Sequence, residues 1–183
     1  MFTFQVSRLQ LDMLSEANRD DNIELLAKAQ ALFRHAALKG KRRKVWAKLT
    51  GRSPYLLDLA GVKTRKVVVA SHDEGTQAIP LAQIRGSEGR AQDFDSQFHP
   101  LQEHTKQRWM TVARAWLTDV SLPPVQVVQV NDLYFVRDGH HRISVARTMG
   151  QTFIDAKVTQ WDVYEPKSCP STPYFCPCAC FAA

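Results

Sequence analysis

Long apolar runs are missing from this chain. No stretch reaches the roughly 18 consecutive apolar residues that a membrane-spanning helix needs, and Met1 to Leu14 lacks the basic-then-apolar build of a secretory signal. The expectation is a cytoplasmic chain with no membrane partner. Cysteine is scarce and badly placed for a disulfide framework. All four cysteines fall at the end, Cys169, Cys176, Cys178 and Cys180, interleaved with Pro170, Pro173 and Pro177, and none lies in a segment with core periodicity. Structural zinc sites usually separate their paired ligands by about two to four residues and set the pairs well apart, so this run reads as an irregular tail rather than a metal site.

Acid is nearly absent from one segment. Between Arg34 and Lys66 eleven Lys or Arg residues meet the single acid Asp58, a local charge of +10; the whole chain carries +6, so the remainder carries −4. Basic character confined to one segment suits contact with a polyanion, and a solvated helix face is the alternative that stays open. At 183 residues the chain has room for one ordinary domain with a real core and appendages, but not for two large domains.

What is present begins with a helix. Leu25, Leu26, Ala29, Leu32, Phe33, Ala36 and Ala37 follow helical spacing, and Gly40 sits where a C-terminal glycine cap belongs. Lys41 to Leu49 continues as a short basic helix, then Ser53 and Pro54 read as N-cap and first helical position of a third, ended by Gly61. A helix-turn-helix needs polar side chains aimed at base edges, whereas Tyr55 to Ala60 is short and largely apolar. A nucleic-acid reading therefore takes a nonspecific form, with phosphates held by Lys41, Arg42, Arg43, Lys44 and Lys48 and a base stacked on Trp46.

Two strands are expected at Lys66 to Ala70 and Ala78 to Ile84, separated by a turn at Asp73-Glu74-Gly75, with Pro80 making the second an edge strand or leaving only its later part paired. The polar loop Arg85 to Arg90 follows. From Gln107, the residues Trp109, Val112, Ala113, Trp116, Leu117 and Val120 form one apolar helical stripe that buries both tryptophans, and Pro123-Pro124 stops it. Val125 to Val130 and Leu133 to Arg137 read as a hairpin about Asn131-Asp132, and Phe153 to Val158 as a final strand. Mixed rather than alternating elements argue for an α+β fold with a small mixed sheet.

The most informative stretch is Tyr134 to Arg147, where period-two alternation gives way across Gly139 to a helical pattern carried by Ile143, Ala146 and Met149. A helix opened by glycine leaves its first N–H groups unpaired, and with the helix dipole and Arg142 they form a seat for an anion such as phosphate. Gly139 serving only a tight turn is the competing explanation. Asp138 can cap the helix or share a magnesium ion, and both remain open. His140 and His141, about 100° apart on a helix, cannot both face one small ion, but one could donate to phosphate or, near neutral pKa, act as general acid or base.

Leu122-Pro123-Pro124-Val125, the hairpin ending Tyr134-Phe135-Val136, then Asp138-Gly139-His140-His141-Arg142 with Ala146, Gly150 and Ile154 to Val158 resemble the ParB N-terminal/sulfiredoxin-like superfamily over roughly Gln77 to Trp161, about half the chain. The resemblance implies a domain over 65–165, preceded by a basic helical region at 1–64 and followed by a Cys/Pro-rich tail at 166–183. In the ParB branch the glycine-led helix start with its arginine binds CTP; Gly139 and Arg142 hold those places. Arg90 is placed like the arginine of the family's nucleotide loop, and Glu88 is the counterpart of the general base of free-serine kinases of that fold. Asp93 or Asp95 would hold magnesium. Where sulfiredoxins carry a cysteine, this chain has His140, so their sulfinic acid repair chemistry lacks its nucleophile. Little chain follows Trp161, so any DNA contact would come from the amino-terminal arm.

The sequence thus leads to a nucleotide (CTP or ATP/ADP) with Mg2+, bound by Arg90, Asp138, Gly139, His140, His141 and Arg142, with metal at Asp93 and, if phosphoryl transfer or hydrolysis occurs, Glu88 and His141 as catalytic groups. The competing class is a nucleic-acid-associated module working through residues 34–66, and a third is a protein-interaction domain. A homo-oligomer is compatible with each.

Overall fold

The computed structural model describes the backbone of residues 8–165 and the side chains of residues 21–165; the cysteine-bearing tail lies outside the described residues. A long helix α1 (Arg8–Leu49) leads into a two-residue strand β1 (Leu57–Asp58), helix α2 (Leu59–Arg65) and strands β2 (Val67–Pro80) and β3 (Ile84–Ser87). Helix α3 (Lys106–Leu117), the hairpin β4 (Val125–Val130) and β5 (Leu133–Asp138), helix α4 (His140–Thr148) and β6 (Phe153–Tyr164) complete it. The fold is α+β: six strands form one mixed sheet in the order β1-β3-β5-β4-β6-β2. The β1/β3, β3/β5 and β4/β6 pairs are parallel, the β4/β5 and β2/β6 pairs antiparallel. Among the described residues no helix is long and apolar enough to cross a membrane.

Alternation on the central strands sorts the core into two faces. Val125, Val127, Tyr134 and Val136 point toward α4 and bury against Ile143 and Ala146, together with Ile79, Ile84, Phe94 and Phe98. Val128, Val130 and Phe135 point the other way, onto Leu59 of α2. Behind α4 a second layer forms where Ala29, Phe33 and Ala36 of α1 meet Trp109 and Ala113 of α3 and Val145 of α4. Phe33 and Trp109 pack edge to face with centroids 5.6 Å apart, and the Trp109 indole donates to Ser144 Oγ at 2.8 Å, so this buried contact has no orphaned polar atom.

Several elements differ from the sequence expectations. The three short helices of the first sixty residues are one continuous α1 followed by a strand and a different helix. Gly40 lies inside α1; an added Cβ would come within 3.1 Å of His99 Cβ and of the Pro100 carbonyl, so glycine there permits close packing against the 99–101 segment. Asp58, not Ser53, caps α2, accepting from the Ala60 amide at 3.1 Å, and Gly61 sits within that helix. The helix-turn-helix outline therefore has no counterpart. Asp73-Glu74-Gly75 is not a turn but a bulge within the unbroken β2, where the register against β6 shifts. Pro80 does lie on an edge strand, β2 being the last in the sheet. Of the two α3 tryptophans, Trp109 is fully buried and Trp116 only partly.

Loop 88–105 is held by a buried carboxylate. Asp95 accepts from the amides of Gln97 and His99, each at 2.8 Å, from His99 Nδ1 at 3.0 Å and from Arg43 Nε at 3.2 Å. Burial pushes the Asp95 carboxyl up, but the His99 hydrogen bond and charge and the two amides outweigh it and leave its pKa below the usual value. Asp95 is thus spent on clasping α1 through Arg43, which leaves it unavailable to magnesium.

Candidate functional site

The β5 to α4 junction has the anticipated strand, turn and helix, and its chemistry follows from one backbone conformation. Gly139 adopts φ 100°, ψ 18°, and a Cβ there would fall 2.5 Å from Val125 Cγ1. Only glycine satisfies both demands. The first turn closes when the Ile143 amide donates to the Gly139 carbonyl at 3.0 Å, and the amides of His140, His141 and Arg142 precede any intrahelical acceptor. These residues line a cleft of about 310 Å³.

Four arginines surround this cleft, each from a different part of the fold. Arg90 comes from the loop after β3, Arg108 from α3, Arg137 from the end of β5 and Arg142 from α4. Their guanidinium groups are not equivalent. Arg142 donates to Asp138 at 2.5 Å, to the Pro124 carbonyl at 2.9 Å and to the Pro123 carbonyl, so it is anchored between strand end and proline loop. Arg137 Nε donates to Glu88 at 2.9 Å. Among the described residues Arg90 and Arg108 make no ion pair, which leaves them as the cations able to meet an incoming anion.

The floor is made of two buried histidines. His140 Nε2 lies 2.7 Å from Ser87 Oγ, and the same hydroxyl accepts from the Arg90 amide at 3.1 Å. This chain of contacts ties the end of β3, the start of α4 and the Arg90 loop together. His140 also stacks on Phe94, with centroids 6.0 Å apart and planes 17° from parallel. His141, 7% exposed, meets Phe94 edge-on, and its Nδ1 has no hydrogen-bond partner although it is buried. A buried polar atom left unpaired is costly and infrequent, and this one belongs to a residue lining the cleft beside Arg90 and Arg108.

Both imidazoles are pushed down to about 4, first by burial and then by the positive charge of Arg90, to which His141 adds for His140 and Arg108 for His141. Near neutral pH they are uncharged. An anion placed between Arg90, Arg108 and His141 would reverse the sign of the local field and favour the protonated, donating form of His141.

The other expected residues sit differently. Glu88 lies outside the cleft lining and is engaged by Arg137 and by Lys63 Nζ at 3.2 Å; the Arg137 hydrogen bond, aided by Lys63, holds its carboxyl below the usual range against partial burial. Asp93 faces His104 Nε2 at 3.4 Å and does not line the cleft. Among the described residues no group of three or more His, Cys, Asp or Glu side chains could hold a metal ion. On the arm, Arg43 is bound to Asp95, and Lys44 lies 5.6 Å over the Tyr55 ring, whereas Lys41, Arg42 and Lys48 make no ion pair among the described residues. Sequence reading missed Arg108 and Arg137. Arg108 sits on the polar side of an α3 stripe, one of many surface cations until the fold turns it toward α4.

No family model matches this chain, and no curated protein matches it. A crystal structure of sulfiredoxin from Arabidopsis thaliana is similar to part of it, with 19% identity, a TM-score of 0.33, and coverage of 45% of this chain and 82% of that one.

Proposed function

We propose that this chain binds a phosphate-bearing small molecule, a nucleoside di- or triphosphate in the first instance, in the cleft at the N-terminus of α4. One observation carries the reading: the buried, unpartnered His141 Nδ1 belongs to a residue that lines the same cleft as the two unpaired cations Arg90 and Arg108 and the open amides of α4. Phosphate oxygens would meet the two cations and the helix start at once, and would reach Nδ1 once the imidazole turns toward the cleft. The volume, about 310 Å³, lies at the lower end of small-molecule sites, so the phosphates occupy the cleft and the base extends to its mouth.

Binding is better supported than turnover. Glu88, paired with two cations and lowered in pKa, is a poor proton acceptor, and His141 can offer a proton only once an anion has raised its affinity for one. Among the described residues the donor set does not fit a resident metal ion; magnesium would come with the phosphates, and Asp138, which lines the cleft and has one carboxylate oxygen on Arg142, would offer it the other.

Thermal-shift and calorimetric titrations with CTP, ATP, ADP and GTP, each with and without magnesium, test the proposal, since a ligand bound only by the native form raises Tm. Arg108→Ala and Arg90→Ala should each weaken the best ligand by about 10-fold to 100-fold, in line with removal of one charge-assisted hydrogen bond. Arg142→Ala should weaken it too, by freeing Asp138 beside the seat. Unchanged affinity in both Arg90→Ala and Arg108→Ala, or no shift with any nucleotide, would remove the assignment.

A further inference from the structure

We propose that the last turns of α1 and the segment after it form a binding site for single-stranded nucleic acid, with Trp46 as the stacking platform. The docked face of α1 is marked by buried Ala29, Phe33, Ala36, Gly40 and Ala47, a helical stripe that turns Trp46 outward. Trp46 is 68% exposed, so a large apolar ring stands in water where burial would have been favourable. It lines a concavity of about 480 Å³ together with Arg42, Arg43, Thr50, Arg52 and Ser96.

The cations around the indole divide into anchors and free groups. Arg43 Nε bonds Asp95 and its terminal nitrogen reaches Ser96 Oγ at 3.5 Å, which fixes one wall of the concavity; Lys44 is held over Tyr55. Arg42 and Arg52, which line the concavity, form no ion pair among the described residues and are exposed; Lys41 and Lys48 do not line it, Lys48 lying about 200° around α1 from Trp46. A ring flanked by unpaired cations is the arrangement that binds a splayed base by its π face while the backbone phosphates meet Lys and Arg.

Three other polyanions suit it less well. A duplex keeps its bases stacked and offers the indole no face. Acidic peptides satisfy the cations but give the ring nothing. A bilayer surface engages protruding apolar groups and cannot enter a concavity of this size. None of the residues lining this concavity lines the α4 cleft, so the site stands independently of the nucleotide reading.

The test is fluorescence anisotropy of a labelled oligothymidylate titrated with the full chain between about 50 and about 200 mM salt, where phosphate-dominated binding falls steeply. Trp46→Ala should weaken binding about 5-fold to 100-fold without changing the salt slope, and Trp46→Phe should restore most of it. Arg42→Ala with Arg52→Ala, a second variant at exposed positions, should reduce the slope by roughly 0.7 for each phosphate that is no longer neutralised. Duplex of the same sequence should show no dependence on Trp46, and Arg108→Ala should leave oligothymidylate binding unchanged. The proposal is overturned if Trp46→Ala binds as the unaltered chain does, if no oligothymidylate binding occurs, or if polyaspartate or anionic phosphatidylserine vesicles show the same Trp46 dependence, which would reassign the surface to an acidic peptide or a membrane.

Discussion

The chain has two arginine-rich regions, and they differ in what lies beneath the cations. At the α4 cleft Arg90 and Arg108 stand over a buried floor of open amides and two neutral imidazoles, one with an orphaned nitrogen. At the end of α1, cations of the same type flank an exposed indole, and the nearest buried polar group, Asp95, is already satisfied. The same side chain therefore serves two kinds of anion. Where the floor is buried and unsatisfied, a compact ligand that completes its hydrogen bonds is favoured; where the surface is a ring among flexible cations, an extended chain of weakly held units is favoured.

The most severe way to break this contrast is Gly139→Ala. Its φ of 100° and the 2.5 Å approach to Val125 together should cost about 3 kcal/mol of stability, read as a lowered denaturation midpoint at unchanged slope. A cost below about 0.5 kcal/mol would mean the turn is not as tightly determined as described.

Acidity should act on the cleft and spare the arm. His140 and His141 titrate at about 4 in the fold against about 6.5 when unfolded, so between these values the unfolded chain binds more protons and stability rises with pH. Stability should thus fall as pH drops from about 6.5 to about 4, by roughly 3 kcal/mol at most for each imidazole, and flatten below. His141→Phe should remove part of that dependence. Inorganic phosphate or nucleotide should oppose the fall, because an anion raises the His141 pKa, and its binding should consume protons in calorimetry run in buffers of different ionisation enthalpy. Stability indifferent to pH over this window would count against the buried neutral imidazoles.

Asp95→Asn sharpens the comparison from the other side. It uncouples Arg43 and His99 from a buried carboxylate and should cost about 2 kcal/mol, loosening the wall of the Trp46 concavity directly and weakening nucleotide affinity less, through the 88–105 loop that carries Arg90. Equal damage to both ligands would show the two regions to be coupled. The smallest effect is expected of salt on the cleft: from about 50 to about 200 mM, nucleotide affinity should fall much less than oligothymidylate affinity, since few charges meet the first ligand and many the second.

Much of the frame was legible locally. The hairpin at Asn131-Asp132, the α4 start at Gly139 and its end at Gly150 each rest on residues whose preferences point one way. Errors arose where one residue type serves two purposes. Gly40 reads as a helix cap but answers to close packing against Pro100, and Gly75 reads as a turn but forms a bulge in a 14-residue strand. Nothing next to either residue in sequence reports the partner that decides between them.

The sequence by itself determined the strand-glycine-helix junction and the concentration of cations in one segment, because both depend on neighbours along the chain. Only the tertiary structure decided which cations are free: it turned Arg108 of α3 and Arg90 of a distant loop toward α4, bound Arg142 to Asp138 and Arg43 to Asp95, and left His141 Nδ1 without a partner. Pairing and desolvation are properties of three-dimensional surroundings, and a charged side chain carries no mark in sequence of whether its partner has already been supplied.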